Sequence, residues 1–227
     1  MRMSRLLPLL LAIAAAPLIA QESEPGALLG TIANNVYTSP TGAFRITVPV
    51  LPELGGRAVD TENVVTFQDN FNVLCSVAAF PMDATQRWEF STRGAKDYLA
   101  YFFANFVMPD FQKSFPGARV DSAKFSPSVG GGGLFTYILL PGGSMFANRV
   151  MFRAPNAEPL VAKRGNLLVT KNDWVYVLSI ELAERVTEHS TYNKTPEQED
   201  DILRQRLIEL FDKVQFTKPP PDKLDAP

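Results

Sequence analysis

The chain has 227 residues, 46% of them hydrophobic and 20% charged, with a formal charge of −2 at pH 7. That is the composition of a globular protein with one sizeable core, not of a disordered or collagen-like chain. It also lacks the basic excess of a nucleic-acid binder, which carries a basic patch or stripe.

Arg2 and Arg5 precede an apolar run from Leu6 to Pro17, and Leu18-Ile19-Ala20 leads into the polar Gln21-Glu22-Ser23-Glu24. A basic start, an apolar stretch of about 7–15 residues and a small residue at the cut define a secretory signal. Residues 1–20 are therefore expected to be a signal peptide cleaved after Ala20, with the protein periplasmic or secreted. A membrane-spanning helix needs roughly 17–25 apolar residues, and Pro8 and Pro17 interrupt this one, so no stable anchor is expected. No cysteine follows the run, which argues against a lipoprotein. Loss of Arg2 and Arg5 moves the formal charge from −2 to −4.

Residues 21–35 read as a flexible lead-in and 36–217 as one domain. Ser39-Pro40-Thr41-Gly42 is turn chemistry, and Phe44, Ile46 and Val48 alternate with polar residues as in a half-buried strand. Asn63 to Gln68 and Phe71 to Phe80 form two further strands, with Asp69-Asn70 spaced as a tight hairpin turn. Within the second, Phe71, Val73, Cys75, Val77 and Ala79 share one apolar face. Cys75 is the single cysteine, so no internal disulfide forms. On that face it behaves as a small buried hydrophobe. The competing reading, a reactive thiol, needs an electropositive and accessible setting.

From Ser91 to Met108 the period becomes helical, with Ala95, Leu99, Phe102 and Phe106 in a stripe and Pro109 ending it. Such a stripe packs one face of a helix on a sheet. The same aromatic density, extended by Phe111 and Phe115, also offers an apolar groove or partner surface. Tyr98, Tyr101, Phe102 and Phe103 are the candidate ligand- or partner-binding residues: a concave pocket among them indicates a small ligand, a flat patch a protein interface.

Strands follow over Ala118 to Phe125, Leu134 to Leu140, Phe146 to Arg153, Lys163 to Thr170 and Trp174 to Leu182, the last two joined by the turn Lys171-Asn172-Asp173. Gly130 to Gly133 lack the Gly-Lys-Ser/Thr and helix of a phosphate-binding loop and read as a flexible loop. Thr195, Pro196 and Gln198 make a capping box with proline at the first helical position. Glu197, Glu199, Asp200 and Asp201 crowd the positive end of that helix. Helix-end electrostatics accounts for them as well as a cation site does. Leu203, Leu207, Leu210 and Phe211 form its apolar stripe, and Val214 to Phe216 a closing strand. Residues 218–227, with Pro219-Pro220-Pro221, are expected to be a disordered tail.

Short turns between successive strands favour an antiparallel β-sheet flanked by helices, an α+β sandwich. Tyr37-x-Ser39-Pro40-x-Gly42-x-Phe44-x-Ile46-x-Val48-Pro49 resembles the opening of PsbP-like domains, whose type member is an extrinsic subunit of the photosystem II oxygen-evolving complex. The resemblance runs through Val64 to Asp69, Val73 to Phe80, Leu134 to Leu140, Trp174 to Leu178 and Phe211-x-x-Val214-x-Phe216. It implies an antiparallel sheet between helices and a non-catalytic binding or assembly role, with no functional residues to carry over.

Catalytic chemistry is thinly provided. His189 is the single histidine and reads as a solvent-exposed loop residue, no Gly-x-Ser-x-Gly elbow or Ser-x-x-Lys is present, and Cys75 and His189 are the only soft metal ligands. No cofactor or metal is expected. The favoured reading is an exported binding or assembly module for a protein or a small apolar ligand. The alternative is a carboxylate-based hydrolase, since carboxylates distant in sequence can meet at glycosidase distances.

Overall fold

The computed structural model describes residues 27–147, 158–188 and 191–218. Residues 1–20, read from the sequence as a signal peptide, His189 and all of the tail beyond Lys218 lie outside the described residues. Eleven strands are present among those described: β1 (Thr31–Ala33), β2 (Val36–Thr38), β3 (Phe44–Thr47), β4 (Arg57–Asp60), β5 (Val64–Gln68), β6 (Leu74–Pro81), β7 (Arg119–Ser126), β8 (Gly133–Pro141), β9 (Val161–Lys171), β10 (Trp174–Glu181) and β11 (Val214–Phe216). The helices are α1 (Ala84–Phe102), α2 (Met108–Ser114), α3 (Glu184–Thr187) and α4 (Pro196–Asp212).

All strand pairings are antiparallel, in a seven-stranded sheet of order β4-β5-β6-β10-β9-β8-β7 and a four-stranded sheet of order β1-β2-β3-β11. The larger sheet is buried on both faces. On one face Cys75, Val77, Leu167, Val169 and Leu178 pack under Leu203 and Leu207 of α4 and under Tyr37, Phe44 and Ile46 of the small sheet. On the other, Ala78, Leu134, Ile138, Leu168 and Val177 pack under Tyr98, Leu99 and Phe102 of α1. This is the α+β sandwich expected. It also corrects the one-sided reading of β6, whose intervening Leu74 and Ala78 are buried too. Tyr176 Oη donates to the Ala43 carbonyl at 2.9 Å. Asp60 accepts from Tyr37 Oη at 2.7 Å and from the Leu29 and Gly30 amides at 2.9 and 2.7 Å, so both contacts tie the small sheet to the large one.

Several local expectations move. The lead-in carries β1, hairpinned to β2 through Asn34 and Asn35, both at positive φ as a two-residue hairpin turn requires. Asn172 and Asp173 do the same between β9 and β10. Asp69-Asn70 is not a two-residue turn. The Asp69 carboxylate accepts from the amides of Phe71, Asn72 and Val73 at 2.8, 3.0 and 2.9 Å and organises a longer loop. Phe71 consequently leaves the strand and is exposed. Of the strand expected over Phe146 to Arg153, Phe146 sits in a turn, and the stretch from Asn148 lies outside the described residues.

The aromatic helix differs most. It starts at a capping box of Asp83 and Gln86, well before Ser91. It breaks at Gly94, whose φ of 77° and ψ of 166° are open essentially to glycine alone. After Phe102 the chain widens into a π-helical stretch, Phe103–Val107, before α2. Pro109 ends nothing: it lies in the first turn of α2, where its missing N–H costs no hydrogen bond. At the other end of the domain α4 has the expected box, Thr195 Oγ1 accepting from the Gln198 amide at 3.3 Å and Gln198 Oε1 from the Thr195 amide at 3.1 Å. Among the described residues, no helix is long and apolar enough to cross a membrane.

Candidate functional site

Register places five polar residues side by side on the face of the large sheet that α1 and α2 cover. Thr136 of β8 lies opposite Asn166 of β9, Asn166 opposite Ser179 of β10, Ser179 opposite Ser76 of β6, and Ser76 opposite Thr66 of β5. The inner members are buried and bonded to one another, as buried polar groups must be. Asn166 Nδ2 donates to Thr136 Oγ1 at 3.3 Å, and Ser179 Oγ donates to Asn166 Oδ1 at 2.7 Å. Ser179, Ser76 and Thr66 are half-buried, because the helical layer does not close over this part of the sheet.

Two residues further along β9 and β10, Arg164 faces Glu181 directly across the ladder. Glu181 is 1% exposed and accepts from Arg164 Nε at 3.3 Å, Arg164 Nη2 at 3.1 Å and Ser144 Oγ at 2.6 Å. Arg164 Nη2 also reaches the Gly143 carbonyl at 3.4 Å. The pair closes the polar end of the row.

The π-helical stretch and α2 roof the neighbouring space. Phe106 keeps contact with the α1 stripe, its ring centroid 5.0 Å from that of Phe102, and π-type widenings recur at functional sites. With Phe111 of α2 and Phe115 just beyond its end above and Ala78, Phe80 and Val177 below, Phe106 and Val107 line a cleft of about 270 Å³. A second cleft of about 190 Å³ is bounded by Thr66, Leu74, Met145 and Glu181. Ser76, Ser179 and Arg164 line both, so the two form one groove, aromatic at one end and hydroxylic at the other.

The four residues singled out from the sequence do not form this groove. Tyr98, Phe102 and Phe103 are buried in the core, Tyr98 edge-on to Phe90 at 5.5 Å and Phe102 against Phe80 at 6.0 Å. They are the part of the stripe that faces the sheet squarely, so their area goes into packing. Tyr101 points the other way, with its ring edge-on to Phe106 and the Arg93 guanidinium 4.9 Å from its centroid. The lining aromatics are instead Phe106, Phe111 and Phe115, one to three turns onward. Cys75 is buried, and burial pushes its thiol up to about 12, as suits a core residue rather than a nucleophile.

A charge cluster went unread in the sequence. Lys163 is completely buried, yet its ammonium lies 2.7 Å from Asp121 and Asp200, 3.1 Å from Glu199 and 3.3 Å from the Pro196 carbonyl. Burial alone would lower the lysine's pKa. The hydrogen bonds to Asp121, Asp200 and Glu199 outweigh it and raise the value. Arg185 pairs with the far oxygen of Glu199. Two of the acids at the start of α4 therefore serve an internal cation besides the helix dipole. The carboxylates a hydrolase would require do converge here, but on an ammonium that fills the space between them. The resolved shifts at carboxyl groups, at Asp60, Glu184 and Glu197, all run downward, opposite to a general acid.

No family model matches the chain, and no curated protein does. Among solved structures it is similar to cyanobacterial PsbP from Synechocystis sp. PCC 6803, at 13% identity and a TM-score of 0.47 over 83% of this chain and 99% of that one. It is also similar to the Ran-binding protein Mog1p of Saccharomyces cerevisiae, at 12% identity and a TM-score of 0.41 over 82% and 96% of the two chains. A Bacteroides thetaiotaomicron protein is similar at 12% identity and a TM-score of 0.39, over 82% of this chain and 50% of that one. These likenesses are remote and none of them carries a function, which has to be derived from the groove.

Proposed function

We propose that the protein is an exported, non-catalytic binding module whose groove holds an apolar group of a small ligand or partner protein. The observation that carries this reading is the aromatic cleft under Phe106, Phe111 and Phe115, left open beside a hydroxyl-lined floor instead of being filled by core side chains. Interiors normally pack to near-crystalline density. An apolar cleft with a few convergent polar groups is the usual form of a ligand site.

Titration with the neutral fluorophore N-phenyl-1-naphthylamine tests it. The probe is expected to brighten on saturable binding, and Phe106→Glu to weaken that binding about tenfold or more, since it removes a ring from the cleft and sets a carboxylate that holds its water beside the bound probe. Phe106 is 46% exposed, so the substitution leaves the core intact. Equal binding by both proteins sinks the reading.

Export rests on the basic start and apolar run of residues 1–20. In the expressing cell the protein is expected outside the cytoplasm with Gln21 as its first residue. Amino-terminal sequencing that finds the intact chain inside the cytoplasm refutes this.

A further inference from the structure

We infer that the groove selects a small organic cation: a ligand with an apolar body and a protonated amine. The inference rests on the groove being a binding site and names the chemistry it takes.

Two charged residues line the aromatic cleft, Arg164 and Asp110. The first is already spent. Its Nε and Nη2 are bonded to Glu181, whose side chain is wholly buried and has no other cation within reach among the described residues. Drawing the guanidinium toward an anionic ligand would strand that carboxylate in a low-dielectric interior, at a cost that a partly exposed ligand charge does not return. Arg164 and Glu181 thus count as one neutral unit, able to offer remaining N–H groups to a neutral acceptor.

Asp110 is different. It is exposed in the first turn of α2, at the rim of the cleft, and no cation pairs with it among the described residues. The net charge presented to a ligand is therefore negative. Phe80, Phe106, Phe111 and Phe115 line the same cleft, and the faces of aromatic rings attract cations. The cleft's volume of about 270 Å³ falls at the low end for ligand pockets, which suits a small molecule rather than a secondary-structure element of a partner. Carboxylate, rings and volume converge on a small amphipathic amine.

Calorimetry on the mature protein with n-octylammonium, n-octanoate and octan-1-ol, which share one chain and differ in head group, decides the matter. The ammonium is expected to bind about tenfold tighter than the carboxylate at low salt, with the alcohol between them. The preference should shrink as ionic strength rises. In Asp110→Asn, an exposed and non-disruptive change, the preference is expected to fall to about threefold, the part that the rings supply. If octanoate binds as tightly as octylammonium, the assignment of a cation is wrong, and if the preference is undiminished in Asp110→Asn, Asp110 does not supply it; in either case the groove remains a site. If none of the three binds, the groove reading fails and this inference with it.

Discussion

Replacing Lys163 by methionine is expected to lower folding stability by about 3–5 kcal/mol, read as a fall in the urea midpoint at unchanged slope. Methionine keeps most of the volume and all of the apolar stem, so the loss reports charge rather than a cavity. Three carboxylates converge on the ammonium from two elements: Asp121 from the edge strand β7, Glu199 and Asp200 from the start of α4. Without it, Glu199, with a side chain only 2% exposed, keeps Arg185 alone, and Asp121 and Asp200 repel one another. Removing one partner from a buried ion cluster leaves uncompensated charge, which is why the cost exceeds that of an ordinary core substitution. Asp121→Asn should cost much less, because that side chain is 26% exposed and two carboxylates remain. A Lys163→Met protein as stable as the wild type would show that the cluster does not hold α4 to the sheet.

Arg164→Leu is expected to destabilise by about 3 kcal/mol, near the lower end for breaking a buried pair, because Ser144 still donates to Glu181. The informative variant is the double one. Arg164→Leu with Glu181→Leu removes both charges from adjacent positions on β9 and β10 and should recover most of the loss, since apolar pairs commonly replace buried ion pairs without penalty. The recovery is measured as a coupling energy in a double-mutant cycle. Additive losses in the double variant would mean that the two residues act independently, and the groove's polar end would need another account.

Much of the fold is legible in local chemistry. Thr195, Pro196 and Gln198 announce α4, and Asn172-Asp173 announce the β9–β10 hairpin, because caps and turns depend on side chains a few residues apart. Alternation of Phe44 and Ile46 marks a strand for the same reason. The aromatic helix is misread where its rules conflict. Pro109 signals a stop, yet begins a new helix. Gly94 breaks the axis inside an otherwise helical pattern, and a π stretch follows Phe102, across which Phe106 still packs on that ring at 5.0 Å. Of the candidates for a pocket or a partner surface, Tyr98, Phe102 and Phe103 are buried in packing on the sheet, and Phe106, Phe111 and Phe115 line the cleft.

The site itself depends on register between strands far apart in the chain. Nothing near Ser76 indicates that it will lie beside Ser179, nor does any neighbour of Lys163 show that Asp121 and Asp200 will meet it. One sign was present. A lysine at an inward position of a strand, between Ala162 and Leu167 and on the face of Val169, demands a buried counter-charge, and the acids at the start of α4 were the obvious supply.

The most direct measurement of the central claim is a map of backbone amide shifts as N-phenyl-1-naphthylamine is titrated into the mature protein. Perturbations are expected at Ser76–Phe80, Phe106–Phe115, Arg164 and Val177–Ser179, saturating together with one dissociation constant. Shifts that instead cluster on α4 and the four-stranded sheet, or that never saturate, would contradict it.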